Sequence, residues 1–166
     1  MVIKIVKSDF IDVVEDAKIE IDPLIKEKDL NIVTKIATKN THAMLDKRLL
    51  IQVMINLISN AVKFSPPGSS INVTLSDEVL PDGRSALGCS ISDEGAGIPE
   101  AELEAVFDKF IQSSKTKTGA GGTGLGLSIC REIIAAHSGK IWAKNRKPGG
   151  AIFSFMIPRN EERQAS

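Results

Sequence analysis

The chain has 166 residues, the length of one domain with a sizeable hydrophobic core. Its composition, 42% hydrophobic and 25% charged, is that of an ordinary globular protein. Lysine plus arginine and aspartate plus glutamate balance at 21 each, which argues against a nucleic-acid-binding or membrane-binding surface. Cys89 and Cys130 have no metal-site spacing, and we expect both to be reduced core residues. We assign 1–158 to one domain and 159–166 to a polar C-terminal tail.

The part of the chain before residue 46 predicts scaffold elements. Residues 1–7 alternate as a short strand, and Ser8 or Asp9 can cap the helix that follows. Apolar residues then recur at helical spacing to about Lys28. Pro23 is expected to kink this helix or to end it early. Two strands are predicted next, at 30–37 and 41–45.

The second clear helix is predicted at 47–64, behind the cap residue Asp46, and it carries polar side chains within an apolar surface. Asn56, Asn60 and Lys63 lie at i, i+4 and i+7, which places them on one face. Asparagine is a poor helix former, and buried amides need partners. A magnesium triphosphate supplies such partners, because amide oxygens ligate hard cations and an ammonium group pairs with phosphate. The alternative is a polar stripe satisfied by neighbouring backbone.

A predicted antiparallel hairpin, with strands around 71–75 and 87–91, brings a carboxylate to the end of a strand. Asp93 follows the second strand, and Gly95 and Gly97 allow the main chain to fold tightly around it. An ionised carboxylate only accepts hydrogen bonds, so it suits the exocyclic amine of adenine and repels the carbonyl of guanine. The alternative is an ordinary turn.

Residues 99–118 predict a short helix at 99–106 and, beyond it, a lid. Phe107 is expected in the core, whereas Phe110 belongs either to the core or to the lid. The segment 112–118 is polar, and a segment of this kind orders when a ligand binds.

Residues 119–139 run from a glycine-rich loop directly into an amphipathic helix, and the chain is organised around this stretch. Free N–H groups and the positive end of the helix dipole coincide there, which favours a phosphate. The loop is not a P-loop, since no G-x-x-x-x-G-K-[ST] pattern occurs. It contains G-x-G-x-x-G, but behind a polar run instead of a strand, so we reject a dinucleotide-binding site. A linker before a core helix remains the alternative. A closing hairpin is predicted at 140–145 and 151–157.

Four motifs in order make the chain resemble the catalytic ATP-binding domain of sensor histidine kinases. This family shares a superfamily with gyrase, the ninety-kilodalton heat-shock chaperone and MutL. Residues 56–64 resemble the N box, 93–98 the first glycine box, 107–110 the F box and 122–127 the second glycine box. The resemblance implies an α/β fold, more closely an α+β two-layer sandwich. Its sheet is mixed, mostly antiparallel and of about five strands, with three main helices on one face and a mobile ATP lid.

The resemblance also implies roles for individual residues. Asp93 is expected to bind the adenine amine, and Asn60 to ligate Mg2+. Lys63 is expected to contact phosphate and, together with Asn56, to support catalysis. The other nucleotide-binding residues that the resemblance implies are Phe64, Gly95, Gly97, Ile98, Phe110, Gly122, Thr123, Gly124, Leu125, Gly126 and Leu127.

Two positions bear on the reaction. The ATP hydrolases of the superfamily are similar to one another in placing a glutamate base where Asn56 stands. A neutral amide cannot take a proton from water, which disfavours hydrolysis. Many histidine kinases carry arginine at the position of Gln112, although glutamine also occurs there in related kinases. Glutamine is uncharged, so Lys109, Lys115 and Lys117 are alternative candidates, and the sequence leaves open which residue meets the γ-phosphate.

The resemblance implies a kinase whose substrate lies on another domain. His42 and His137 do not resemble the phosphoacceptor, and His137 is expected to pack on the buried face of the last helix. The expected partners are a dimerisation and histidine phosphotransfer domain, which this chain lacks, and indirectly a response regulator. We expect a cytoplasmic location, no nucleic acid and no direct membrane contact. The alternatives are an ATP-driven conformational switch or hydrolase, an anti-sigma-type serine kinase, and a module that binds nucleotide without transferring phosphate.

Overall fold

The structure, a computed structural model, describes residues 2–108 and 126–160. Its helices are α1 (Phe10–Glu27), α2 (Lys47–Phe64) and α3 (Gly126–Ala136). Its strands are β1 (Val6–Asp9), β2 (Asn31–Ala37), β3 (His42–Leu45), β4 (Ser70–Val79), β5 (Ser85–Ser92), β6 (Lys140–Asn145) and β7 (Ala151–Pro158).

Five strands form one mixed sheet in the order β2-β4-β5-β7-β6. The β2–β4 pair is parallel, and the other three pairs are antiparallel. β1 and β3 form a separate antiparallel pair. The predicted hairpins β4–β5 and β6–β7 are both confirmed.

The three helices cover one face of this sheet. Alternate residues of the central strands point into a single core cluster, because successive side chains of a strand point to opposite faces. The inward set comprises Ile71, Val73, Leu75, Leu87, Cys89, Ile91, Phe153, Phe155 and Ile157. The predicted α/β two-layer sandwich is therefore confirmed, as is the assignment of Cys89 and Cys130 to the core as free thiols. The predicted lid lies outside the described residues.

Helix α2 has the predicted bounds, and both of its ends are capped. At the N-terminus Asp46 Oδ1 accepts a hydrogen bond from the N–H of Leu49, at 3.4 Å. At the C-terminus Lys28 Nζ donates to the carbonyl oxygens of Val62 and Lys63, at 2.8 and 3.0 Å. Carbonyls in the last turn of a helix lack their regular donors. Ser65 N–H reaches the Val62 carbonyl at 3.4 Å, and the cation that follows α1 adds to the stability of this end of α2.

Pro23 does not end α1, which continues to Glu27. A proline inside a helix leaves the carbonyl four residues earlier without its donor, and here that carbonyl belongs to Ile19. Ile19 is 73% exposed, so water can reach this side of the helix. Ile21 and Ile25 are buried on either side of the proline and keep the helix on the core.

Two further predictions are corrected. Residues 99–106 do not form one helix but two short 3-10 turns, Glu100–Glu102 and Ala105–Phe107. Leu103 and Val106 lie three residues apart and pack on the core, which suits a period of three residues per turn. The first strand begins at Val6, because its bounds follow from pairing with the four-residue β3. Its last residue, Asp9, caps α1 as predicted.

Arg159, the first residue of the predicted tail, is buried against the body of the domain. Its guanidinium donates to the carbonyl oxygens of Asn40 and His42, at 2.5 and 3.2 Å, and to Asp77 Oδ1 at 2.6 Å. Residues 161–166 lie outside the described residues. None of the described helices combines the length and the apolar character that crossing a membrane requires.

Candidate nucleotide-binding site

Residues from distant parts of the chain meet at one end of the sheet. They lie on the C-terminal half of α2, on the loop 93–98 that follows β5, and on the first turn of α3. Asn56 Nδ2 donates to the carbonyl oxygen of Gly126, at 3.4 Å, which joins α2 to α3 across 70 residues of sequence. Loop 93–98 and α2 also touch, since a side chain on Gly95 would overlap the carbonyl oxygen of Phe64. The N box, the first glycine box and the start of α3 are therefore adjacent.

Asp93 is held in a fixed orientation at the end of β5. Its side chain is 3% exposed, and its Oδ1 accepts hydrogen bonds from the N–H groups of Gly95 and Ala151, at 2.9 and 3.1 Å. Its backbone N–H also donates to the carbonyl of Ala151, at 3.0 Å. Within the described residues no donor reaches Oδ2. One carboxylate oxygen is thus bound by backbone N–H groups of the loop and of β7, whereas the other has no donor among these residues.

The environment of Asp93 shifts its ionisation. Burial raises the pKa of this carboxyl above its usual value of 3.8. The hydrogen bonds from Gly95 and Ala151 and the positive charge of Arg146 act in the opposite direction but do not outweigh burial. A buried carboxyl with a raised pKa at the end of a strand is typical of a functional site.

The polar residues of α2 are half-buried or exposed, unlike the apolar residues next to them. Asn56 and Asn60 are half-buried, and no hydrogen bond to the Asn60 carboxamide is found within the described part of the chain. Lys63 is exposed, with its Nζ 5.8 Å from the centroid of the half-buried Phe64 ring. Their aliphatic neighbours Leu57, Ile58 and Ala61 are fully packed in the core.

Loop 93–98, which contains the first glycine box, has the tight backbone that the sequence predicts. Gly97 has φ of 79°, a conformation that favours glycine. Ile98 is 6% exposed and packs on the core. The first two residues of α3 differ in exposure: Gly126 is exposed, and Leu127 is partly buried against the core. Phe110 and the loop residues Gly122, Thr123, Gly124 and Leu125 lie outside the described residues.

The β6–β7 turn contributes to this site in a way that the sequence did not predict. Asn145 and Gly150 contact loop 93–98, and Arg146 Nη1 lies 3.8 Å from Glu94 Oε1. Lys28, which caps α2 next to Lys63, was also not predicted. The signal for the turn was weak, namely an asparagine at the end of a strand followed by a proline and two glycines. That pattern indicates a turn but not what the turn contacts.

His137 has the structural role predicted for it. It is 2% exposed, its Nε2 accepts a hydrogen bond from the N–H of Asp46 at 2.9 Å, and its Nδ1 lies 2.8 Å from the carbonyl oxygen of Ile133. Because Nε2 accepts, the proton of the neutral ring is on Nδ1. The ring therefore joins the end of α3 to the start of α2.

Comparison with known proteins supports the same type of site. Residues 45–161 match the family described as histidine kinase-, DNA gyrase B-, and HSP90-like ATPase. The chain is 38% identical over 140 residues to sensor histidine kinase WalK of Bacillus subtilis, covering 84% of this chain and 22% of that protein. It is 36% identical over 150 residues to the adaptive-response sensory kinase SasA of Synechococcus, covering 90% of this chain and 38% of that protein. The chain thus spans well under half the length of either relative.

Solved structures agree over nearly the whole chain. The catalytic domain of histidine kinase ThkA, in a nucleotide-free form, superposes with a TM-score of 0.80 at 27% identity, covering 96% of this chain and 99% of that chain. The structure of ThkA in complex with response regulator protein TrrA matches with a TM-score of 0.78 at 26% identity, covering 95% of this chain and 42% of that chain. The chain belongs to the histidine kinase-, DNA gyrase B-, and HSP90-like ATPase family.

Proposed function

We propose that the chain is the Mg-ATP-binding catalytic domain of a two-component sensor histidine kinase. It transfers the γ-phosphoryl group of ATP to a histidine on a separate dimerisation domain. The observation that carries this proposal is the buried Asp93 carboxylate, whose Oδ1 is bound by two backbone N–H groups while Oδ2 is left for a ligand. Two relatives of the chain, at 38% and 36% identity, are named as a sensor histidine kinase and a sensory kinase. These names favour a histidine kinase over the other activities of the superfamily.

The base and phosphates of ATP are assigned to different elements. Asp93 accepts the exocyclic amine of adenine, and Gly95, Gly97 and Ile98 form the wall of the base pocket. Lys63 pairs with phosphate, and Phe64 flanks the nucleotide. The backbone N–H groups around Gly126 and Leu127 lie at the N-terminus of α3, where they favour an anion. The same role is proposed for Gly122–Leu125, and Phe110 is proposed to pack against the closed lid.

A magnesium ion fits the residues of α2. The Asn60 carboxamide is half-buried without a hydrogen bond within the described residues, and an amide oxygen is a suitable ligand for a hard cation. The described residues contain no cluster of three or more His, Cys, Asp or Glu side chains that could hold a metal. Magnesium commonly needs only one or two protein ligands, because phosphate oxygens and waters complete its shell. Bound there, it would neutralise phosphate charge.

The reaction needs no nucleophile from this chain. A nitrogen of the acceptor histidine forms a bond to the γ-phosphorus, the bond from that phosphorus to the bridging oxygen breaks, and ADP leaves. The proton of the histidine goes to a base on the acceptor domain. This chain contributes position and charge through Lys63 and the α3 amides. Asn56 holds the start of α3 and is neutral, so it cannot activate water for hydrolysis.

The partners follow from the same proposal. A dimerisation and histidine phosphotransfer domain supplies the acceptor, and a response regulator receives the phosphoryl group from it. The complex of the similar kinase ThkA with TrrA supports a response regulator as the downstream partner. The domain acts where ATP is available, in the cytoplasm.

Calorimetric titration with Mg-ATP and Mg-GTP tests the site. We expect one ATP to bind per chain and GTP to bind at least tenfold more weakly, because the Asp93 carboxylate repels the guanine carbonyl. Asn60→Ala should abolish the dependence of ATP affinity on magnesium, with Ser59→Ala on the same helix as control. Binding of GTP as tight as ATP contradicts the assignment of Asp93.

Transfer is tested by mixing the chain with γ-labelled ATP and a histidine-bearing dimerisation domain from a sensor kinase. Label that is lost in acid but stable in alkali is expected on the partner. Acid-stable label would instead identify the anti-sigma type of serine kinase. Steady release of phosphate by the chain alone would favour the hydrolase or conformational switch.

A further inference from the structure

We propose that Asn145, at the end of β6, is a positioning residue of the nucleotide-binding site, and that the turn joining β6 to β7 braces the loop carrying Asp93. This inference rests on the proposed function. We define the brace as residues 145–151, and the loop as residues 93–98.

The Asn145 carboxamide holds both backbone polar groups of one loop residue. Its Oδ1 accepts from the N–H of Ile98 at 2.7 Å, and its Nδ2 donates to the carbonyl oxygen of Ile98 at 2.6 Å. One side chain thereby reproduces the pair of hydrogen bonds that a neighbouring strand would make. The contact spans 47 residues of sequence.

Two glycines allow the brace and the loop to approach this closely. A side chain on Gly97 would place its Cβ 2.8 Å from Asn145 Oδ1 and 3.2 Å from the Gly150 carbonyl oxygen. Gly150 has φ of 110°, and a Cβ there would overlap the carbonyl oxygen of Asp93. The two backbones are therefore in direct contact, so the loop cannot shift unless the brace shifts with it.

The brace also acts on the orientation of Asp93. Ala151, paired with Asn145 across the hairpin, donates its N–H to Asp93 Oδ1 at 3.1 Å. The adjacent Glu94 is held between Arg146, at 3.8 Å, and the N–H of Ser70, at 2.8 Å. Both ends of the loop are thus fixed by the brace, and the direction of Oδ2 depends on it.

The simpler interpretation is that Asn145 only terminates the hairpin. The Asn145 side chain is solvent-exposed, yet both of its polar atoms bind the loop and not its own turn, which Arg146 N–H closes onto the Gly150 carbonyl at 2.9 Å. A terminating residue and a positioning residue differ in their consequences. Only the second makes the effect of Asn145 on ATP affinity depend on Asp93.

A double-mutant cycle measures this dependence. ATP affinity is determined by calorimetry for the wild type, Asn145→Ala, Asp93→Asn and the double variant. We expect Asn145→Ala to weaken binding roughly tenfold in the wild-type background and less than about twofold in the Asp93→Asn background. An equal loss in both backgrounds would overturn the positioning role. Lys144→Ala, an exposed neighbour on the same strand, is the control and should leave ATP affinity unchanged.

Amide hydrogen exchange without nucleotide tests the brace separately from the proposed function. The Ile98 amide should exchange at least tenfold faster in Asn145→Ala than in the wild type or in Lys144→Ala, since it loses its acceptor. Unchanged protection would overturn the brace even if ATP affinity fell. Conversely, failure of the wild type to bind ATP would overturn the proposed function, while faster exchange at Ile98 would still support the structural contact.

Discussion

At the scale of single residues, the polar groups of the candidate site are less well satisfied than the core around them. Asp93 is buried with one oxygen free of partners among the described residues, and Asn60 has an unengaged carboxamide within the same set. Unused polar capacity lowers the stability of the free protein and favours a ligand that supplies the missing partners.

Asp93→Asn should separate stability from binding. The amide oxygen can still accept from Gly95 and Ala151, so we expect the fold to remain intact. Burial raises the pKa of the Asp93 carboxyl, so its protonated form stabilises the folded state. This contribution is complete below pH 3.8, the usual pKa, and is lost as the pH rises through the raised pKa. At pH 7 the variant should therefore be at least as stable as the wild type in urea unfolding.

The same variant should bind ATP roughly ten- to hundredfold more weakly, as expected for losing a hydrogen bond to a charged group. Asp29→Asn, at an exposed residue after α1 whose side chain has no partner within the described residues, is the control and should change neither quantity. A variant that lost stability and affinity together would show that Asp93 acts mainly on the fold.

Thr34 is a second residue whose polar group is unused. Its Oγ1 is buried without a hydrogen-bond partner within the described residues. Thr34→Val keeps the shape of the side chain and should raise the free energy of unfolding by about 1 kcal/mol.

Thr38, later in the chain, provides the matched comparison for this substitution. Its hydroxyl lies 2.6 Å from Asp77 Oδ1, so Thr38→Val should lower the free energy of unfolding. Equal effects of the two substitutions would contradict the role of the unpaired hydroxyl.

At the scale of elements, the helices are joined by polar contacts at their ends. Lys28, the residue after α1, binds the carbonyls of Val62 and Lys63 near the end of α2, and His137, after α3, binds the N–H of Asp46, the residue that caps the start of α2. These contacts hold both ends of α2, the helix that carries the candidate residues Asn56, Asn60 and Lys63.

His137 makes this arrangement sensitive to pH. Burial lowers the pKa of its imidazole below 6.5, although the hydrogen bond to Ile133 and the charge of Asp46 act in the opposite direction. Protonation would place a proton on Nε2 against the N–H of Asp46. The stability that neutral His137 contributes is therefore complete above pH 6.5 and is lost as the pH falls from there towards the lowered value.

Urea unfolding at several pH values between 8 and 5 should detect this loss, with a slope of at most about 1.4 kcal/mol per pH unit from this one group. His137→Gln removes the titrating group and should show a correspondingly flatter profile. A wild-type profile no steeper than that of the variant would show that His137 does not control stability in this range.

At the scale of the whole molecule, the two ends of the sheet have different roles. The Asp93 end carries the candidate site, while the opposite end is fastened by Arg159, which binds Asn40, His42 and Asp77. One end is thus closed by contacts within the chain, whereas at the other end Asp93 and Asn60 have polar atoms without a partner among the described residues. Ligand binding should therefore stabilise the domain measurably.

Mg-ATP at one hundred times its Kd should add about 2.7 kcal/mol to the free energy of unfolding. For a domain of this size that corresponds to a rise in Tm of roughly 5–10 °C. At the same ATP concentration the Asp93→Asn variant should show a smaller rise. A rise of equal size with Mg-GTP would contradict adenine recognition by Asp93.

Local features of the sequence predicted most of the elements, and its motifs named candidate site residues, of which Asn56 and Gly126, and Phe64 and Gly95, lie next to one another. The bounds of α2, its cap Asp46 and the two hairpins were predicted, because caps, periodicity and turn residues act within a few positions. Of the two effects predicted for Pro23, an early end of α1 was wrong, because water and not the core faces the carbonyl that loses its hydrogen bond. The single helix predicted at 99–106 was wrong, because the conformation of so short a segment is set by how a few of its apolar residues pack on the core.

Only the tertiary structure decided which distant groups touch. Three contacts join residues far apart in sequence: the parallel pairing of β2 with β4, the hydrogen bond from Asn56 to Gly126, and the hydrogen bonds between Asn145 and Ile98. Local periodicity carries no information on such pairs, since it reports which face of an element is buried but not what covers it. The motifs of the chain therefore indicated a nucleotide site, whereas the β6–β7 turn that holds its loop became visible only in the folded protein.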